Sequence, residues 1–325
     1  MKTRESKERA DVYERITQQI IEAIERGTDQ WRMPWHQVAN TATPINVASR
    51  KRYRGINILA LWASADEHGY QSGLWGTYAQ WQELGAQVRK GEKSTCVVFW
   101  KFGEYETETD NGDTETKQSI LARSYSVFNA QQVDGFTAPL IPSLPPVERN
   151  AEADAFFKIL GADLRHGGNR AYYHPASDSI QIPPFELFKE ATAYYATLAH
   201  EHVHWTAAPQ RLNRNLTGRF GSEAYAAEEL IAELGAAFLC ADLGLANEPR
   251  PDHAAYVQNW LTVMRNDKRA IFTAASKAQA AVDWINAQEP HSQCGSNFTW
   301  TEGVQPLGEP PRGRKSTIVI NRDLF

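Results

Sequence analysis

Tyr13, Ile16, Ile20 and Ile24 recur at three- and four-residue spacing ahead of Gly27, which predicts an amphipathic helix over residues 8–26 closed by a glycine. Residues 56–68 ("INILALWASADEH") and 77–84 ("TYAQWQEL") read as two more helices, stopped by Gly69 and Gly85. The period then changes. "STCVVFWKF" and "SILARSYSVF" are rich in β-branched and aromatic residues and predict a strand pair. Between them "GEYETETDNGDTETK" carries Asn-Gly and reads as an exposed hairpin tip. Prolines then gather in "GFTAPLIPSLPPVE", which reads as a linker. Beyond it, Asn150 is placed to cap a helix that ends at Gly161. Short strands are expected at "RAYYHP" and "SIQIP", then helices over about 186–205 and 222–243 and two more across 252–287.

A chain of 325 residues suits two domains. The pattern divides it into residues 1–134, a proline-rich linker at 135–149, a second domain at 150–289 and a polar tail at 290–325, with an α+β fold class throughout. With 42% hydrophobic and 22% charged residues, the composition excludes a disordered or membrane class. No run of about 18 apolar residues occurs and the N-terminus is charged, so a cytoplasmic protein with no membrane partner is expected. Cys96, Cys240 and Cys294 lie far apart without C-x-x-C spacing, which argues against a thiolate metal site or a disulfide framework.

The stretch His200-Glu201-His202-Val203-His204 matches H-E-x-x-H. On a helix, residues i and i+4 share a face, so His200 and His204 can offer two nitrogens to one cation. Glu201 lies about 100 degrees round the helix and can reach a water beside that cation as general base. His202 lies about 200 degrees from His200 and reads as a packing or surface residue. Downstream, "SEAYAAEELIAELGAAFL" carries Glu229 and Glu233 at i, i+4 on an otherwise Ala- and Leu-rich helix. Carboxylates in such a setting need a partner, because unpaired buried charge is costly. Glu229 is therefore assigned as the third metal ligand and Glu233 as the acceptor that fixes a ligand histidine's tautomer, while Glu228 is expected to face solvent. The cation is read as zinc, with manganese or another divalent metal as alternatives. Tyr225, Tyr256 and His253 are all candidates for stabilising an oxyanion, and His174 reads as an ordinary strand residue.

The first hundred residues have a different character. They hold Trp31, Trp35, Trp62, Trp75, Trp81 and Trp100, and residues 50–101 carry eight Lys or Arg against four Asp or Glu in a chain of net charge -5. Cations that follow a backbone and aromatic faces that stack bases are the means of holding single-stranded nucleic acid. Trp31, Trp35, Tyr53, Trp75 and Tyr78 are the stacking candidates, and Arg50, Arg52, Arg54, Arg89, Lys90 and Lys93 the phosphate contacts. Trp62 and Trp81, at helical spacing beside leucines, are assigned to the core.

In order, "VYERITQQIIEAIERGTDQWRMPW", "RYRGINILALW", "VRKGEKSTCVVFWK", "HEHVHWTAAPQRLNR" and "FGSEAYAAEELIAELGAAFLCADLG" resemble the ArdC-type antirestriction proteins of conjugative plasmids and their primase-associated relatives, over roughly residues 10–287. The resemblance implies an N-terminal domain that binds single-stranded DNA, followed by a zincin-like metallopeptidase domain similar to the SprT proteases. It implies protection of incoming plasmid DNA from host restriction during conjugation. It also implies His200 and His204 as ligands, Glu201 as catalytic residue, an acidic ligand in the run Glu228-Glu229-x-x-x-Glu233, and a protein substrate bound to DNA or linked to restriction. SprT proteins use a third histidine, so the acid here is closer to the gluzincin pattern. The alternative reading is a non-enzymatic protein that coats single-stranded DNA and whose metal site is structural or vestigial.

Overall fold

In a computed structural model, described for residues 2–27, 43–108, 114–137, 146–216, 223–245 and 254–288, the helices are α1 (Lys2–Gly27), α2 (Ile56–His68), α3 (Tyr78–Glu83), α4 (Pro146–Ile159), α5 (Ala191–Trp205), α6 (Glu223–Asp242), α7 (Ala254–Asn266) and α8 (Ala270–Asn286). The strands are β1 (Ile45–Asn46), β2 (Leu74–Thr77), β3 (Gln87–Val88), β4 (Thr95–Glu108), β5 (Thr114–Asn129), β6 (Val133–Asp134), β7 (Asp163–His166), β8 (Tyr172–His174) and β9 (Ser179–Ile182). The class is α+β, with two domains.

Helix α2 has the predicted bounds, and its first ten residues are all buried. It ends where Gly69 takes a left-handed φ of 70° and turns its N–H back to Ala65 and Asp66, a conformation that disfavours any residue with a Cβ. Helix α3 opens on a capping box. The Thr77 side chain accepts from the Gln80 N–H, and the Gln80 side chain accepts from Thr77. Trp81 is thereby seated with its indole N–H donating to the Phe128 carbonyl at 3.0 Å.

The first sheet has the order β1-β2-β5-β4. The strands β4 and β5 run on to Glu108 and from Thr114, so most of the predicted acidic loop is paired strand; the Asn-Gly tip lies outside the described residues. Residues 290–325 lie outside them too. Helix α4 starts at Pro146, inside the predicted linker, because proline suits the first turn of a helix, where its missing N–H is not needed. Strand β7 is absent from the predicted set: "DLRH" has no β-branched residue, and it forms by parallel pairing with β9 in a sheet of order β7-β9-β8. The long helix starts at Ala191, after a 3-10 turn at Phe185–Leu187.

One buried apolar cluster runs from α1 and α2 through α5, α6 and α8. Trp62 of α2 meets Phe238 of α6 with ring centroids 5.9 Å apart. At the same boundary Arg52 and Arg54 pair with Asp242 and Asp283, at the ends of α6 and α8. The two halves thus share a core.

Gly235 of α6 sets how closely that helix approaches α5. A Cβ there would stand 2.7 Å from Val203 Cγ2 and 3.0 Å from Cγ1. Gly235→Ala gains about 1 kcal/mol of helix propensity, but crowding a packed interface costs about 1–3 kcal/mol. The variant is therefore expected to have a lower urea midpoint than wild type, and adding Val203→Ala is expected to raise the midpoint of Gly235→Ala. A midpoint at or above wild type for Gly235→Ala alone would mean that the helices tolerate separation.

Candidate metal centre

Helix α5 carries His200 and His204 on the face toward α6, one turn apart, with their Nε2 atoms 3.1 Å from each other. From α6, Glu229 approaches both: Oε2 is 3.4 Å from His200 Nε2 and Oε1 is 3.5 Å from His204 Nε2. One ligand atom from each residue lies within 4.8 Å of the others, a grouping that includes no other residue among those described. Donors held about 2.0–2.1 Å from a tetrahedral cation stand about 3.3–3.4 Å apart. The observed separations therefore fit a divalent cation, and two nitrogens with a carboxylate oxygen are a donor set that zinc and its neighbours accept.

The electrostatics agree with the geometry. Burial opposes charge on His204, yet Glu228 and Glu229 overturn it and push its pKa up to about 10. Burial likewise opposes charge on Glu229, and the two imidazoles outweigh it and hold its carboxyl well below the usual range. The site is thus a buried pocket of negative potential in which positive charge is held between α5 and α6.

Glu233 lies with Oε2 3.7 Å from His200 Nδ1. That nitrogen is buried and makes no hydrogen bond among the described residues, so the tautomer-fixing contact assigned to Glu233 is longer than a hydrogen bond here. Glu228 corrects the sequence expectation outright. It is 7% exposed, with Oε1 3.3 Å from His204 Nδ1. Arg214 grips it from the other side, Nη2 to Oε1 at 2.8 Å and Nε to Oε2 at 3.2 Å. The same guanidinium donates to the Val203 carbonyl at 2.7 Å and to Thr206 Oγ1 at 2.8 Å, which ties it to the end of α5. Arg214 had no signal in the sequence, since it sits in an irregular stretch fourteen residues before its partner.

His202 packs as expected: its ring lies against Phe157, its Nδ1 is 2.8 Å from the Leu198 carbonyl, and burial lowers its pKa to about 4. His174 is an exposed strand residue, with Nδ1 2.8 Å from Ser177 Oγ.

A cavity of about 260 Å³ opens onto the three residues and is also lined by Glu201, Tyr225, Asn215, Tyr172 and Tyr173. Its outer wall is strand β8. That wall is pinned to the segment after α5 by Asp178, which accepts from Tyr173 Oη and Gln210, each at 2.9 Å, and pairs with Arg211. The Arg211 guanidinium also lies 3.9 Å over the Trp205 ring. Of the three oxyanion candidates, Tyr225 reaches the cavity; the side chains of Tyr256 and His253 lie outside the described residues.

The N-terminal candidates divide. Trp62 and Trp81 are core, 2% and 0% exposed. Trp75 and Tyr53 are also buried, at 1% and 4%, which corrects their assignment as stacking residues. Trp75 sits on β2 between β1 and β5, and Tyr53 is held by a hydrogen bond from Asn46 Nδ2 at 3.0 Å. Trp31 and Trp35 lie outside the described residues. Tyr78 is exposed and lines a shallow groove with Arg89 and Lys90. Lys93 and Arg50 are exposed, whereas Arg52, Arg54 and Arg89 are each engaged in ion pairs.

Two helices that carry H-E-x-x-H and a facing glutamate, beside a three-stranded sheet that borders a cavity, define the class: a zincin-like metallopeptidase domain. The family model described as zincin-like metallopeptidase matches residues 151–277, and that of the N-terminal domain of anti-restriction factor ArdC matches residues 10–128. The chain belongs to the ArdC family of antirestriction proteins. It is 45% identical to the metal-free crystal structure of antirestriction protein ArdC from plasmid R388, covering 86% of this chain and 97% of that one, with a TM-score of 0.69. Against the Mn(II)-bound structure of the same protein the identity is 42%, over 88% of this chain and 98% of that one, with a TM-score of 0.66. The uncharacterized protein y4eC of Sinorhizobium fredii is 54% identical, over 87% of this chain and 94% of its own length. DNA primase TraC of Escherichia coli is 39% identical over 85% of this chain, which spans 27% of that primase. Among the described residues no helix is long and apolar enough to cross a membrane.

Proposed function

We propose that this chain protects incoming plasmid DNA from restriction, that it binds single-stranded DNA through its N-terminal domain, and that it hydrolyses peptide bonds at a divalent metal held by His200, His204 and Glu229. The observation that carries the reading is the convergence of those three side chains at one end of a cavity whose wall includes Glu201. A bound cation supplies Lewis acidity, polarising a carbonyl and acidifying water. Glu201, 2% exposed, acts as general base and returns its proton to the leaving amine. Tyr225 donates to the oxygen that gains charge. Strand β8 lies at the edge of its sheet and forms the cavity wall along which an extended chain would lie.

The test is transfer of a plasmid carrying unmodified restriction sites into restricting and non-restricting recipients, with and without this chain expressed in the recipient. The chain is expected to raise the yield of transconjugants in the restricting recipient alone. Equal yields with and without it would overturn the antirestriction reading.

A further inference from the structure

Burial of Tyr53 and Trp75 removes two of the aromatic faces that the sequence assigns to DNA, and the fold presents others. Phe99 and Tyr125 are 49% and 42% exposed, although both lie on strands in the first sheet. Their rings form an edge-to-face pair with centroids 5.5 Å apart. Register pairs Phe99 with Arg123 and Val97 with Tyr125, so the two aromatic rings and the Arg123 guanidinium share one face of the sheet. Tyr53 stands beside Phe99, 6.4 Å between centroids, and its own buried position gives the pair a fixed support.

The charge that its own segments contribute has one sign, the carboxylates paired with Arg52 and Arg54 coming from Asp242 and Asp283 at the ends of α6 and α8. The segments that build it, residues 43–54, 93–101 and 117–128, contain no Asp or Glu. Arg123 and Lys51 are exposed and make no ion pair among the described residues. The shallow groove beside Tyr78 differs: Glu92 and Asp134 line it and both pair with Arg89. Carboxylates there oppose phosphate, while residues 93–101 and 117–128, which carry Phe99, Arg123 and Tyr125, contribute none.

We infer that Phe99, Tyr125 and Arg123 form the base-stacking platform for single-stranded DNA, with Lys51 at the phosphate backbone. This rests on the reading that the chain binds single-stranded DNA. Exposed rings next to the Arg123 guanidinium suit bases that are free of a complementary strand, because a duplex keeps its bases stacked on each other and offers no face to these rings.

The test uses the full chain and a fluorescein-labelled 20-nucleotide oligothymidylate, with binding followed by anisotropy over a salt series. Phe99→Ala and Tyr125→Ala are each expected to weaken binding about tenfold, within the range measured for a single stacked base. Phe99→Trp is expected to keep it. Arg123→Gln should reduce the slope of log K against log salt by about 0.7, the value for one phosphate contact on a single strand. All three positions are exposed, so thermal melts should match wild type. If wild type binds and the Phe99→Ala/Tyr125→Ala double variant binds equally well, the platform is refuted while single-strand binding stands. Loss in Tyr78→Ala/Lys90→Ala instead would move the site to the groove. If wild type binds no oligothymidylate, the underlying reading fails and the platform fails with it.

Discussion

Glu201→Gln is expected to lower peptide hydrolysis by roughly 10²–10⁴-fold, the usual contribution of a positioned general base, and to remove most of the protection in a restricting recipient. The substitution keeps the shape of a side chain that is 2% exposed. It leaves His200, His204 and Glu229 untouched, so metal content should stay at the wild-type level. Oligothymidylate affinity should also be unchanged, because the Phe99 face is on the other domain. Hydrolysis of casein or of a restriction subunit, metal content and transconjugant yield are therefore measured on the same preparations. If protection survives intact while hydrolysis is lost, coating of the strand accounts for antirestriction and the peptidase serves another purpose. If hydrolysis itself survives, Glu201 is not the base.

Arg214→Met is expected to destabilise the protein by about 3–5 kcal/mol, the cost of removing one partner from a buried ion pair. Arg214 and Glu228 are 7% and 9% exposed at their side chains, and the guanidinium also satisfies the Val203 carbonyl and Thr206. Without it Glu228 keeps only His204 as an ion-pair partner among the described residues. In a protein of this size the loss corresponds to a fall in melting temperature on the order of 10 °C. Adding Glu228→Gln removes the stranded charge, so the double variant should be more stable than Arg214→Met alone. The double-mutant cycle isolates the coupling. A melting temperature for Arg214→Met within a degree or two of wild type would show that the pair holds nothing in place.

These two predictions also mark where the sequence was legible. H-E-x-x-H and the i, i+4 pair Glu229 and Glu233 are patterns inside single helices, and helical geometry alone puts their side chains on known faces. The bounds of α2 follow from an almost unbroken apolar run and a glycine stop, both local. The sequence places Glu228 in solvent because nothing local shows that its surroundings are set by Arg214, which lies in no regular element. Trp75 and Tyr53 look exposed beside Gly and Arg, yet their burial depends on which strands flank β2 and on contacts of Asn46, and neither is encoded locally. The same holds for Phe99 and Tyr125, whose exposure is set by what packs on each face of the sheet, since Val97 and Val98 on adjacent positions of β4 are both buried. Arg52 and Arg54 carry charge that composition assigns to DNA and that the fold uses to join the two halves.

A cation that binds only the folded state stabilises it by about 2.7 kcal/mol at 100 times its dissociation constant, so melting and binding report the same event. The most direct measurement is calorimetric titration of the metal-stripped chain with Zn2+ and with Mn2+, on wild type, His204→Ala and Glu229→Ala. His200, His204 and Glu229 acting as ligands predicts one site per chain in wild type, a rise in melting temperature on loading, and loss of that site in both variants. No saturable binding in wild type, or an unchanged site in either variant, would contradict it.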